Sequence, residues 1–297
     1  MNLNAGRTID VTLRTIPYMA RRALFFGFLL AAALVHIIVL AVIARTFGYA
    51  AFWALFISSL FFAAWIIVKT PLFSYGPLHA LHVGHLSLIA GFIVDDEGPA
   101  GVSQVPWADS RLRERFQDAL EMAEVDAFLE KAIACLHEKR FASPALLARP
   151  AQRLVHDAIM AHVLQNEGES AWEAARKGVA LYAKSSRLFV MPALIIAAVN
   201  LGAAALAPLV FMVPLGLVAL MVPIEWLFFR FVLCYVAVLL GLAAKVILFD
   251  PLAAAAMFLL FHQEIDGQDV DSETAAWLEY ENPAYREMAT RAKGSSA

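Results

Sequence analysis

Two blocks of the chain, residues 23–94 and 188–261, together hold 146 residues and only six formal charges, at Arg45, Lys69, Glu225, Arg230, Lys245 and Asp250. A water-soluble domain has no interior large enough to hide that much apolar surface, so lipid must be part of the solvent. Composition agrees: 61% hydrophobic residues, 16% charged residues and a mean hydropathy of +0.67 over 297 residues lie outside the range of soluble domains. The expected fold is therefore all-α, a polytopic transmembrane helix bundle of about 4–6 membrane segments. A polar helical insert separates its two halves.

Length and spacing place the first spans. Residues 23–44 form a 22-residue apolar run behind Arg21 and Arg22, too long for the apolar core of a secretory leader and without a small-x-small cleavage site, so it reads as an uncleaved span. Residues 50–68 are the next candidate, and the short link between the two makes them an antiparallel hairpin. Residues 70–94 are apolar but carry Pro71, Gly76, Pro77 and Gly84, together with His79, His82 and His85. Such breaks suit a helix lying along the headgroups, or dipping part way in, better than a full crossing.

The polar insert, 95–187, contains fifteen acids and twelve bases over 93 residues. Its apolar residues recur at helical spacing, first through Leu112, Phe116, Leu120 and Ala123, then through Leu154, Val155, Ala158, Ile159 and His162. A third helix starts at Ser170-Ala-Trp-Glu173, a capping-box pattern. About three helices packed as a small cytoplasmic domain are expected. Beyond it, 188–261 forms the second membrane block, with spans at 188–207 and 231–249 and a stretch between them punctuated by Pro208, Pro214 and Pro223. The organisation is thus a lead-in 1–22, membrane blocks 23–94 and 188–261, the insert 95–187 and an acidic tail 262–297.

Lysine and arginine near span ends set orientation. Arg7, Arg14, Arg21 and Arg22 precede the first block, and Arg176, Lys177, Lys184 and Arg187 precede the second, so both blocks start from the cytoplasm, with a prokaryotic inner membrane as the expected location. The two blocks also share a pattern: Tyr18 and Tyr182 lead in, while Lys69-Thr-Pro-Leu-Phe73 and Lys245-Val-Ile-Leu-Phe249 close them. A parallel internal duplication would produce this.

Charges at membrane depth are costly and tend to carry function, which singles out Lys69, Glu225, Arg230, Lys245 and Asp250. Their placement near span ends also suits anchoring at the interface. His79, His82 and His85 recur every third residue and share one side of a helix, where imidazoles could sense pH near about 6.5 or bind zinc or copper. Neither a carboxylate nor a cysteine completes a ligand set beside them, so no metal or cofactor is expected. Cys135 and Cys234 lie in polar and apolar segments respectively, and no disulfide framework is implied. No catalytic triad, nucleophile elbow or phosphate-binding glycine loop is present in the sequence, and a net charge of −3 without a basic patch argues against nucleic acid. The expected partners are the lipid bilayer and other membrane or cytoplasmic proteins, a second copy of the chain among them. Two functions remain: a non-enzymatic membrane scaffold or assembly partner acting through its cytoplasmic helical insert, or a small-solute or ion transporter or channel built from two membrane repeats.

Overall fold

The structure, a computed structural model, describes residues 4–48, 77–96, 98–140, 145–221 and 227–295, with residues 50, 53, 57 and 58 between the first two stretches. Among these residues there are helices and turns and no strands. In chain order they are α1 (Ala5–Arg14), α2 (Ile16–Phe47), α3 (Pro77–Val94), a 3-10 turn (Gly101–Ser103), α4 (Gln104–Arg115), α5 (Ala119–Arg140), α6 (Ala145–Gln165), α7 (Ala171–Met221), α8 (Leu227–Ala244), a π-helical turn (Lys245–Phe249), α9 (Asp250–Ile265), α10 (Ser272–Glu281) and α11 (Pro283–Ser295). Among the described residues, three helical stretches are long and apolar enough to cross a membrane: Ile16–Leu40, Ala171–Met221 and Val232–Ile265. The shorter apolar helix Leu78–Val94 is below that length.

The chain divides into two compact units. The first gathers Met1–Tyr18, His79–Leu201 and Asp250–Ala297; the second gathers Met19–Leu78 and Gly202–Phe249. This partition differs from the one drawn by hydropathy, because most of α3 and all of α9 belong with the polar insert. The reason lies in α3. Every residue from 83 to 93 is buried, so the apolar character of this helix is matched by protein on all sides, not by headgroups on one. Close approach is built in at Gly84, where a β-carbon would stand 2.3 Å from the Tyr18 hydroxyl. At Gly91 the nearest side-chain atom to such a carbon belongs to Trp107, at 3.1 Å.

Around this core, α6 packs against both α5 and α9, α1 packs against α9, and α11 packs against α5. The acidic tail is therefore folded. Asn282 Nδ2 donates to the Ala132 carbonyl over 2.9 Å, and the Arg291 guanidinium pairs with Glu124 while lying 5.2 Å from the Phe128 ring and 5.0 Å from the Trp172 ring. Within the insert, the expected stripe Leu112–Phe116–Leu120–Ala123 is split. Phe116 ends α4 in an extended conformation and is buried, whereas Leu120 is exposed, because Asp118 accepts from the Glu121 amide and starts α5 afresh. The third helix starts as expected, with Ser170 Oγ accepting from the Glu173 amide at 3.2 Å. The Glu173 carboxylate does not reach back. It binds the Arg176 guanidinium instead.

The second unit shows how its helices approach. A β-carbon on Gly241 in α8 would stand 2.3 Å from Pro208 Cα and 2.7 Å from the Ala207 carbonyl carbon, so only glycine permits this crossing. Ala207 and Ala237 are buried beside it. Helix α7 runs through Pro208 and Pro214 without a break, where the sequence suggested an interruption. Residue 223, the third proline of that stretch, lies outside the described residues.

Candidate functional site

The main concentration of buried charge lies in the first unit, where α3, α5 and α6 meet. Asp157, 7% exposed, is the hub: His82 Nε2 lies 3.0 Å from its Oδ1, His156 Nδ1 3.3 Å and Arg153 Nε 3.3 Å. The His156 ring continues the chain on its other side, with Nε2 3.0 Å from Asp126 Oδ1 and 3.3 Å from the Asp126 carbonyl oxygen. The carboxylate contact is close as a charge pair and off-line as a hydrogen bond, since Oδ1 makes no hydrogen bond in the structure.

This geometry fixes protonation. Burial pushes the His156 imidazole down, but the two flanking carboxylates outweigh it and lift its pKa to about 9. Burial pushes Asp126 up, yet the His156 charge prevails and holds that carboxyl at about 2. Asp157 sits well below the usual carboxylate range for the same reason, with burial opposed by His82, Arg153 and His156. Arg153 is raised, chiefly by Asp157. His79 moves the other way: burial depresses it, and its Nε2 is buried with no hydrogen-bond partner. At neutral pH the interior holds an imidazolium between two carboxylates, with a neutral imidazole close by.

The three histidines of α3 therefore do not act as a group. His79 points into the interior, His82 reaches Asp157, and His85 Nε2 lies 2.9 Å from Thr15 Oγ1, its ring centroid 5.3 Å from that of Tyr18. Among the described residues, no group of three or more His, Cys, Asp or Glu side chains is arranged to hold a metal ion. Nor is Thr15 an activated nucleophile, because its hydroxyl donates to the Thr12 carbonyl over 2.8 Å. His156, already protonated, cannot act as a general base at neutral pH. The chemistry on offer is electrostatic: a clasp that ties three helices together.

One side of the clasp opens to a cleft of about 510 Å³. Its lining includes Glu130 and Glu138 from α5 and Arg149, Gln152, Arg153 and His156 from α6. A second hollow, of about 600 Å³, is lined by Glu169, Glu173, Arg176, Glu279 and Lys293.

The membrane charges singled out by sequence fare differently. Lys69 and Glu225 lie outside the described residues. Arg230 is half-buried in the first turn of α8, Lys245 opens the π-helical turn, and Asp250 opens α9, where its Oδ1 accepts from Asn200 Nδ2 at 2.8 Å. Arg230 and Lys245 belong to the second unit, whereas the clasp lies in the first. Sequence reading missed Asp126, Arg153, His156 and Asp157, although the pair His156-Asp157 interrupts the apolar run 154–164 and was the available signal. Cys135 and Cys234 are free thiols in different units.

No family model, curated protein or solved structure matches the chain. What fold and composition define is a class, the helical membrane proteins.

Proposed function

We propose that this protein is a membrane scaffold, anchored by its second unit and binding partner proteins through its first. The observation that carries this reading is the convergence of three separate chain segments, Met1–Tyr18, His79–Leu201 and Asp250–Ala297, on one compact unit whose buried charges are spent on one another. A body closed in that way presents its surface as its working part. The cleft walled by Glu130 and Glu138 against Arg149 and Arg153 offers charges of both signs to a protein ligand. In this reading the first unit is cytoplasmic, supported by the arginines and lysines that precede each block, and each half crosses the membrane an even number of times so that the chain can return to the same compact unit.

Photo-crosslinking tests it. With p-benzoylphenylalanine at Gln152 of the full chain in its native membrane, one discrete adduct is expected, lost on Glu130→Lys with Glu138→Lys. Absence of any adduct, together with specific solute flux in proteoliposomes, would overturn the scaffold. The transporter reading draws on one observation, the π-helical turn Lys245–Phe249 beside the Asn200–Asp250 hydrogen bond, since such turns recur at functional sites within helices. A duplication of the two blocks would strengthen that second reading.

A further inference from the structure

Helix α1 is inside out. It turns Thr8, Val11 and Thr12 inward, as does Thr15, which caps its end, all at most 8% exposed, while Ile9, Leu13 and the following Ile16 of α2 stand outward at 50%, 58% and 51% exposure. In water the opposite arrangement is favoured, because burying hydroxyls and exposing three branched aliphatic side chains is unfavourable on both counts. The threonines are made tolerable by local bonding. Thr8 Oγ1 donates to the Asn4 carbonyl at 3.1 Å, Thr12 Oγ1 to the Thr8 carbonyl at 2.8 Å and Thr15 Oγ1 to the Thr12 carbonyl at 2.8 Å. Their small size lets α1 settle on the alanine-rich helix α9.

At about 100° per residue, Ile9 and Leu13 fall within roughly 40° of each other on α1, and Ile16 is the next exposed aliphatic residue, at the start of α2. The charged residues occupy a different face. Arg7 pairs with Asp96 at 3.1 Å, and Arg14 pairs with Asp96 and Asp10, each at 3.0 Å. Helix α1 thus has three faces: one against α9, one of mutually neutralised charges, and one of exposed aliphatic side chains.

Chain continuity says what covers the third face. Ile16 is the first residue of the first membrane-crossing candidate, Ile16–Leu40, whose most apolar window is only 6% buried by protein. Ile9 lies seven residues upstream, about 10 Å along a helix, which is within the depth of the headgroup layer. The exposed stripe also runs on into that helix through Ala20, Leu24 and Phe28.

We infer that α1 is an interfacial helix, with Ile9 and Leu13, and Ile16 at the start of α2, immersed at the boundary between headgroups and acyl chains of the bilayer that α2 enters. Binding is driven by apolar burial. Because the arginines are already paired, anionic lipid is not required. The inference stands apart from the scaffold reading and survives its failure.

The test uses the full chain with Cys135→Ser and Cys234→Ser, reconstituted in phosphatidylcholine vesicles, and an environment-sensitive nitrobenzoxadiazole (NBD) probe on Ile9→Cys, on Leu13→Cys or, as a control, on the exposed Thr290→Cys. Shallow nitroxide-labelled lipid should quench most of the fluorescence at positions 9 and 13 and little at 290, while aqueous iodide should do the reverse. Iodide quenching at 9 and 13 equal to that at 290 would overturn the inference. Shielding of 9 and 13 from both quenchers would overturn it too, assigning the stripe to a protein partner or a second copy.

Discussion

Helix α3 and the part of α2 that follows Arg22 are both apolar and have opposite fates. Both are apolar on every side, so neither carries a stripe that would say which way it faces. Helix α3 is enclosed by protein from residue 83 to residue 93, whereas Leu24, Phe28 and Val35 of α2 stand 77%, 72% and 61% exposed. Length separates them. Eighteen residues of α3 extend about 27 Å, marginal for a bilayer core, while the 32 residues of α2 exceed it. An all-round apolar helix has two possible solvents, and protein neighbours decide between them.

Truncating an aliphatic side chain in each helix should have unequal effects. Ile89→Ala in α3 should cost about 2–5 kcal/mol and Ile89→Asp should abolish folding, while Leu24→Ala in α2 should cost less than about 1 kcal/mol, since a lipid tail replaces the lost contact. Thermal stability of the full chain in mild detergent, read by gel filtration, distinguishes them. Equal losses at both positions would mean that α2 is also enclosed by protein.

Glycine offers a second matched pair at smaller scale. Gly241→Ala should destabilise by about 1–3 kcal/mol, because the new carbon meets the Pro208 backbone, whereas Gly27→Ala meets nothing within 4 Å and should be neutral or stabilising by up to about 1 kcal/mol.

Titration probes the interior of the first unit. His156 titrates at about 9 in the fold against about 6.5 when free, so its contribution is complete below pH ~6.5 and is lost as pH rises towards 9. His162, buried and near Lys177, His262 and Arg115, is depressed to about 4, so its contribution is present above pH ~6.5 and is lost as pH falls towards 4. His79 and His137, both lowered by burial, act in the same direction as His162. The melting temperature should therefore pass through a maximum near pH 6.5–7 and fall by roughly a few degrees on either side. His156→Gln should flatten the alkaline limb alone, and a limb unchanged in that variant would remove the imidazolium from the clasp. The smallest effect belongs to the half-exposed ion pairs of α1, where Arg14→Ala should change stability by no more than about 0.5 kcal/mol.

Much of this architecture is legible in the residues. The stripe through Leu154, Val155, Ala158 and Ile159 is buried as its spacing implies, Ser170 caps its helix, and residues 166–169 interrupt the chain where polar residues cluster. Helix α3 was less legible, because hydropathy measures transfer out of water and cannot tell a lipid neighbour from a protein one. The clasp hid for another reason. His156 and Asp157 are adjacent, but Asp126 lies thirty residues earlier and His82 on a different helix, and spacing within one helix does not report a pairing between helices. The folded tail was obscured by its eight acids, most of them exposed or half-buried while Leu278, Tyr285 and Met288 carry the packing.

Met1–Tyr18, His79–Leu201 and Asp250–Ala297 form one compact unit, and the scaffold we propose needs both chain ends and the polar insert to lie on one side of the membrane. Membrane-impermeant maleimide labelling of single cysteines at Asn4, Ser110 and Thr290, in a chain otherwise free of cysteine, tests it directly in right-side-out and inverted vesicles. All three should label in inverted vesicles and none in right-side-out ones. Labelling of any one of the three from the side opposite to the other two would contradict it.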